Sequence, residues 1–337
     1  EPPQASADLI RVATLNLDNY LVPAPDPEEN SPDRPSIEET EIKQRKLAFA
    51  ISHTLGCPEL LGVQEVESES LLLELAGITA AACDFVYQVT HEESADGRGI
   101  DVALLTDPRR VSVESSELHQ ACAPLATGVL DSSVRCPVGE EPLFSRPPLA
   151  AVLRVDEEPL TILVNHFKSK RGGAVETAPR RLAQARHVHD LLQDRLANDP
   201  QAAVIVLGDF NDYNLSPVWQ QLQAGGVLVD AMQQVPDRER YSYIFDGLAQ
   251  LVDGILVSPA LVHRIENVTI AHVNADYPIS LALDDSPSAL PFQASDHDPV
   301  LLSLHSNSYS TATATATATA QPLSLKETPV SAVQHTA

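Results

Sequence analysis

The sequence predicts a layered α/β domain with two sheets packed face to face and helices outside. Three observations lead there. Short apolar or β-branched runs bounded by turn residues recur along the chain, and two longer stretches carry apolar residues at helical spacing. The runs are also not each followed by a helix, as a doubly wound parallel sheet would require, so paired sheets fit better.

The strand candidates are Ile10–Leu15, Leu60–Val66, Phe85–Thr90, Asp101–Thr106, Leu149–Val155, Thr161–His166, Ala202–Gly208, Leu251–Val257 and Val300–Leu304. Their near-continuous apolar character marks them as mostly buried. Glu39–Leu55 places Leu47, Ala50, Ile51 and Leu55 on one helical face, and Ala178–Asn198 does the same with Leu182, Ala185, Val188, Leu192 and Leu196, with Thr177 as its expected N-cap. Pro23 to Pro35 reads as an acidic surface loop after the first strand. Residues 1–307 are expected to form the domain. Residues 308–337, with their Thr-Ala repeats and Pro/Ser/Thr-rich end, are expected to be a disordered linker or tail, because they offer too little apolar surface to offset the entropy of ordering.

Composition narrows the function classes. Among 337 residues, 22 Lys and Arg face 47 Asp and Glu, a formal net charge of −25. Such a chain does not adhere to nucleic acid through its overall charge, so any such contact must be local. Solubility accounts for most of the acidity; cation binding by some carboxylates is a matter of position. No run approaches the ~20 apolar residues of a membrane-spanning helix. Four cysteines, Cys57, Cys83, Cys122 and Cys136, form no CxxC pair, which disfavours a zinc site. The chain opens Glu1-Pro2-Pro3, and either a removed secretory signal or a fragment is expected.

Polar residues collect at the ends of the apolar strands: Thr14-Leu15-Asn16, Gly62-Val63-Gln64-Glu65, Asn165-His166, Gly208-Asp209-Phe210-Asn211, Val252-Asp253-Gly254 and Ser295-Asp296-His297-Asp298. Each has a structural explanation when taken singly, Glu65 as a strand-end surface acid, Asp209 to Asp212 as a turn, Ser295 to His297 as a cap. Their conjunction does not. In this order they resemble the endonuclease/exonuclease/phosphatase superfamily, which holds deoxyribonuclease I, abasic-site endonucleases, neutral sphingomyelinases and inositol-phosphate phosphatases. The resemblance runs from about Ile10 to Leu304, and its specific pair is Gly-Asp-Phe-Asn at 208–211 with Ser-Asp-His-Asp-Pro-Val at 295–300. Asn-His-Phe-Lys-Ser-Lys at 165–170, Arg-Gly-Ile-Asp-Val-Ala-Leu-Leu at 98–105 and Tyr-Ser-Tyr-Ile-Phe-Asp-Gly at 241–247 look most like its secreted bacterial nucleases. It implies a four-layer α/β/β/α sandwich, deoxyribonuclease I-like, with the active site at one edge.

Phosphodiester hydrolysis needs a positioned water, a group that takes its proton, and positive charge where negative charge develops. Glu65 and Asp296 are hard oxygen donors suited to Mg²⁺, or to Mn²⁺ or Ca²⁺. The resemblance sets them at the metal with the Asn16 amide oxygen nearby. Asp209 is the candidate to orient and deprotonate water, with Asn211 donating its amide to that water or to a phosphate oxygen. His297 is the candidate imidazolium facing the phosphate, and Asp253 the carboxylate that keeps it protonated and turned. His166 is implied in electrostatic stabilisation or in protonation of the leaving group. Asp101 is a supporting residue or a metal ligand. The other histidines, His91 and His272 among them, read as surface or packing residues.

Lys168, Lys170 and Arg171 follow His166 on a loop where they could grip phosphates beside the cut, while Arg180, Arg181 and Arg186 read as a solvated helix face. The expected function is a secreted, metal-dependent nuclease acting on DNA, or RNA as well, as a monomer outside the cell or in its envelope. The rival reading is a phosphodiesterase or phosphatase for lipid head groups or small esters; a membrane-acting form would carry an exposed aromatic hairpin, which nothing in the sequence advertises. A non-catalytic binding protein on this fold is the remote alternative. Under oxidising conditions, chain proximity favours Cys122 with Cys136 and Cys57 with Cys83 among the three pairings that four cysteines allow.

Overall fold

A computed structural model describes residues 6–24, 34–125 and 135–306. The expected tail at 308–337 and residues 25–33 of the expected acidic loop lie outside the described residues. In chain order the first half holds β1 (Leu9–Tyr20), α1 (Ile37–Phe49), β2 (Leu60–Val66), α2 (Glu69–Cys83), β3 (Gln88–His91), β4 (Asp101–Thr106), β5 (Val111–Leu118), β6 (Cys122–Ala123), β7 (Glu141–Pro142) and β8 (Leu149–Val155). The second half holds β9 (Glu158–His166), α3 (Ala174–Asn198), β10 (Val204–Asp209), α4 (Pro217–Leu222), β11 (Val229–Asp230), β12 (Tyr243–Phe245), β13 (Leu248–Gln250), β14 (Asp253–Val257), α5 (Pro259–Val262), β15 (Ile265–Ile270) and β16 (Val300–His305).

Twelve of these strands form two six-stranded sheets, ordered β15-β16-β1-β2-β4-β3 and β11-β14-β10-β9-β8-β5, while β6 with β7 and β12 with β13 form separate two-stranded pairs. Each is built around a central parallel pair, β1 with β2 and β9 with β10, flanked by antiparallel neighbours. Alternation along β1 explains the layers. Ile10 and Val12 join a core that includes Ile162, Val164, Ile205 and Leu207 of the second sheet, whereas Ala13, Leu15 and Leu17 pack with Leu47 and Ile51 of the first helical segment and Leu72 and Leu75 of α2. On the second sheet's side, Ala185, Val188, Leu192 and Leu196 of α3 complete the cover. This is the α/β/β/α sandwich that the resemblance implies.

Contact between the sheets is tight enough to need a missing side chain. A Cβ on Gly62 would lie 2.3 Å from Leu207 Cδ1, so only glycine lets β2 approach the second sheet at this point.

Several local readings are corrected. The α3 helix begins at Ala174 with Gly173 as N-cap and no capping side chain; Thr177 sits inside the first turn and donates Oγ1 to Gly173 O at 2.7 Å. The α1 helix begins earlier than read, behind a reciprocal capping box of Ser36 and Glu39. Sequence reading missed α2, which is too uniformly apolar to show helical periodicity, and the edge strands β5 and β15, which alternate with polar residues. Arg180 and Arg181 are buried ion-pair partners of Glu141 and Asp212, not solvated cations, because α3 turns that face toward the loops around β7 and after β10.

Disulfides join Cys57 to Cys83 and Cys122 to Cys136, as chain proximity suggests, and fit a protein of an oxidising compartment. No helix among the described residues is long and apolar enough to cross a membrane. Non-reduced, denatured protein is expected to show no alkylatable thiol by mass spectrometry, and replacing Cys57 and Cys83 together by Ser to cost about 3 kcal/mol in urea unfolding. Four reactive thiols would contradict both bonds.

Candidate active site

Strand register builds one wall of the site. Asp209 ends β10 and stands opposite His166 on β9 and opposite Asp253 on β14, so three candidate residues form one row across the second sheet. Gly208, one position earlier, has φ 133°, and a Cβ there would meet Asn165 O at 2.0 Å, so glycine is needed for the strands to pair this closely at the site. Asn211 occupies the left-handed region with φ 52°, which asparagine tolerates well, and this folds the loop back over Asp209.

The opposing wall comes from the first sheet. Simple alternation would turn Glu65 away from the site, since Gln64 and Val66 flank it. A bulge interrupts the pairing of β2 with both neighbours at this residue, and Glu65 takes φ 63°, which re-aims its carboxylate into the cleft. The Ser295–Asp298 loop is tied to β1 by Ser295 Oγ, which donates to Asn16 O at 2.7 Å and accepts from His297 N–H at 3.0 Å. Asn274, fully buried, donates its amide to His297 O at 2.7 Å and accepts from Ala294 N–H.

The two walls meet at Asp209. Its Oδ2 accepts from the Asn16 amide at 3.2 Å and from the Asn211 amide at 2.9 Å, its Oδ1 accepts from Asn211 N–H at 2.8 Å, and His166 Nε2 lies 3.6 Å away. Asn16 is thus turned with its amide nitrogen toward Asp209 and its oxygen toward Asp18 N–H, at 2.9 Å. The Asn211 amide is shared between Asp209 and Phe167 O rather than presented to the cleft. Burial and the charge of Asp253 push the Asp209 carboxyl up from 3.8 to about 7, against the opposing effects of His297 and the Asn211 N–H.

His297 is held by its Nδ1 at 2.7 Å from Asp253 Oδ2. Burial works to lower its pKa, but the Asp253 charge and hydrogen bond, with Asp209 and Asp296 beyond, outweigh it and raise the imidazole well above 6.5. His166 goes the other way: burial, then Arg146, Arg98 and other cations, hold it well below 6.5 and therefore neutral. The two histidines are electrostatically distinct.

A cleft of about 780 Å³ opens over these residues. Glu65 and Asp296 are part of its lining; burial and the charges of Asp18 and Glu65 raise the Asp296 carboxyl, despite His297. Hard carboxylate oxygens that line one cleft, with one Glu65 oxygen 3.0 Å from Asn19 N–H and the other 3.6 Å from His166 Nε2, are of the donor type that suits a divalent cation of the Mg²⁺ class. Asp209, Asp253 and His297 also lie within one ion's reach of each other, but the His297–Asp253 hydrogen bond already engages that set.

The same cleft is lined by five cations, Arg98, Arg146, Lys168, Lys170 and Arg171, with Asp96 paired to Arg146 among them. Lys170 is also engaged on its own wall, with Nζ 3.5 Å from the centre of the Tyr213 ring and 3.2 Å from Gln250 Oε1. Arg98, Arg146 and Asp96 escaped sequence reading. Arg146 pairs with Asp96 at 2.9 Å and was signalled only as a lone cation between Phe144 and two prolines. Asp101 holds His91 Nε2 at 3.1 Å and accepts Ser94 N–H at 3.0 Å, which orders the loop carrying Asp96 and Arg98. His272 likewise pairs with Asp298 at 2.9 Å, behind the His297 loop.

A model of the endonuclease/exonuclease/phosphatase family matches residues 11–276. The chain belongs to that family. No curated protein matches its sequence. Among solved structures, TDP2 from Caenorhabditis elegans is similar at TM-score 0.56 and 16% identity, covering 88% of this chain and 75% of that one. The D. rerio TDP2 complexed with single-strand DNA product gives 0.55 and 16%, covering 88% and 99%. The human Nocturnin catalytic domain with bound sulfate gives 0.53 and 19%, covering 90% and 98%. At these identities the likeness shows the fold alone.

The buried Asp209 charge has a measurable consequence. Between about pH 4 and pH 7 the folded protein keeps a proton on Asp209 that the unfolded chain has released, so this group lowers stability as pH rises through that window. Asp209→Asn is expected to flatten the corresponding fall in a Tm–pH profile recorded in EDTA. A profile identical to that of the unaltered protein would contradict the shift.

Proposed function

We propose that the protein is a metal-dependent phosphodiesterase that hydrolyses nucleic acid, DNA foremost, after export from the cell. The observation that carries this reading is the mixed lining of one cleft: carboxylates suited to a divalent cation, five cations, a carboxylate of raised pKa and a histidine whose pKa is raised well above 6.5. A phosphodiester suits such a lining, with its anionic oxygens facing positive charge. Export is supported by the two disulfides and by the likeness of segments 98–105, 165–170 and 241–247 to secreted nucleases. Nucleic acid as substrate is supported by the cations along 168–171, and D. rerio TDP2 offers a precedent on this fold for single-strand DNA.

Each residue then has a task. A divalent cation held by Glu65 and Asp296 would supply charge at the phosphoryl and leaving oxygens. Asp209, ionised and fixed by the Asn16 and Asn211 amides, takes the proton from a water whose oxygen attacks phosphorus as the P–O ester bond breaks. His297, kept charged by Asp253, donates from Nε2 to a phosphoryl oxygen. Neutral His166 donates a hydrogen bond rather than a full charge. Lys168 and Arg171 hold the phosphates next to the cut. All of Glu65, Asp209, Asn211, Asp253, Asp296 and His297 are in place, which weighs against a non-catalytic binding protein.

Asp209→Asn and His297→Ala are each expected to lower Mg²⁺-dependent cleavage by ~10²–10⁴-fold with circular dichroism unchanged, and EDTA to abolish it. Near-normal turnover by either variant would remove its residue from the mechanism. Charge reversal at Lys168 and Arg171 is expected to reduce the salt dependence of oligonucleotide binding by about 0.7 in log–log slope for each phosphate no longer neutralised. An unaltered slope would show that these cations do not touch phosphate.

A further inference from the structure

The cleft has a feature that hydrolysis alone does not require. Strands β12 and β13 form a hairpin whose Asp246-Gly247 turn has positive φ at both positions, as a tight two-residue connection demands. The exposed aromatic hairpin that the sequence did not advertise therefore exists, because two aromatic residues two positions apart suffice to make it. Its base is fastened to the catalytic residues. Ser242, fully buried, accepts Asp253 N–H on Oγ at 3.1 Å and Asp298 N–H on its carbonyl at 2.7 Å, and Tyr243 bridges His297.

Along this hairpin three rings run outward in sequence. The His297 ring stacks on Tyr243 at 4.7 Å and 30°, and Tyr243 lies nearly parallel to Phe245 at 6.5 Å and 15°. Exposure grows along the series, from 8% at His297 to 62% at Phe245. Next to the hairpin, Lys170 links Gln250 of β13 to the half-exposed face of Tyr213.

We propose that Tyr243 and Phe245 form a stacking stair for the unpaired bases of a single-stranded nucleic acid whose phosphate lies at His297, so that the enzyme takes single strands or frayed ends in preference to intact duplex. The proposal rests on the reading of the cleft as a nucleic-acid phosphodiesterase and names its substrate class. Aromatic faces take any base, because every base has a π-face, whereas paired bases in a duplex are already stacked and sealed from such contact. The stair starts at the histidine assigned to the phosphate, and the cations that would track the backbone lie inside the cleft. A lipid surface would be met differently. Membrane attachment grows with buried apolar area and attraction to anionic head groups, yet the hairpin tip offers only Phe245 and Leu248 beside the acidic Asp246, on a protein of net charge −25.

The test is fluorescence anisotropy in EDTA, where no cleavage is expected, with a fluorescein-labelled oligothymidine, the same length as duplex, and an oligomer of abasic sugar-phosphate. Phe245→Leu keeps an apolar side chain but removes the ring face, and Phe245→Trp restores one. The single strand is expected to bind the unaltered protein more tightly than either competitor. Phe245→Leu is expected to weaken it by about five- to a hundred-fold, the range for one stacked base, with recovery in Phe245→Trp and no change for the abasic oligomer. Equal losses for abasic and normal strands, tighter binding of duplex, or no response to Phe245→Leu would overturn the stair. So would co-sedimentation with phosphatidylcholine–sphingomyelin vesicles that Phe245→Leu preserves and Phe245→Asp abolishes, which would make the hairpin a membrane contact. Hydrolysis of bis(p-nitrophenyl) phosphate by the unaltered protein with Mg²⁺ is followed in parallel: its absence would sink the phosphodiesterase reading and leave the binding comparison intact.

Discussion

The Asp209 carboxylate lies where the two sheets touch, and much of the site follows from keeping it there. It accepts a hydrogen bond from Asn16 of the first sheet while sitting in register with His166 and Asp253 of the second. Two glycines make that meeting sterically feasible, Gly62 between the sheets and Gly208 between strands. A buried carboxylate is costly to ionise, and here amide donors and the charge of His297 offset only part of that cost, so the pKa stays raised. The same arrangement leaves Asp209 a poor acid and hence a better proton acceptor than an exposed aspartate.

Both signs of charge line the cleft. Glu65, Asp209 and Asp296 share it with Arg98, Arg146 and Lys168, in a protein whose overall balance is strongly negative. Two histidines within one site behave oppositely: the charges of Asp253, Asp209 and Asp296 outweigh burial at His297, whereas burial, with Arg146 and Arg98, prevails at His166 although Glu65 and Asp209 lie 3.6 Å from it. A local group of cations would let an acidic chain hold a polyanion, since long-range repulsion is screened within about 10 Å at ordinary salt while contacts in the cleft are not.

Much of this was legible in the sequence, for a physical reason. The candidate site residues Glu65, His166, Asp209 and Asp253 sit at strand ends, where a polar residue beside an apolar run has no packing role, and His297 follows in the loop before β16, so they stand out from their neighbours. Arg146 and Asp96 did not, because they reach the cleft from loops whose course no periodicity reports. The bulge that turns Glu65 inward is invisible for the same reason: its cause is pairing with two other strands. The hairpin was missed because overall aromatic content is low, at 4%, and what matters is that Tyr243 and Phe245 share one face of one strand. Roles at the level of single atoms were least legible. The Asn16 and Asn211 amides face Asp209 rather than a metal or a phosphate, and only the folded geometry decides which way an amide turns.

The central claim is that Glu65 and Asp296 would hold a divalent cation. Crystals of the protein soaked in Mn²⁺ and measured at the manganese edge test it most directly, because the anomalous signal locates the ion without reference to activity. The account expects a peak within coordination distance of the Glu65 and Asp296 carboxylates, and its loss in crystals of Glu65→Gln. A peak only at the His91–Asp101 or His272–Asp298 pairs, with none at Glu65, would contradict it.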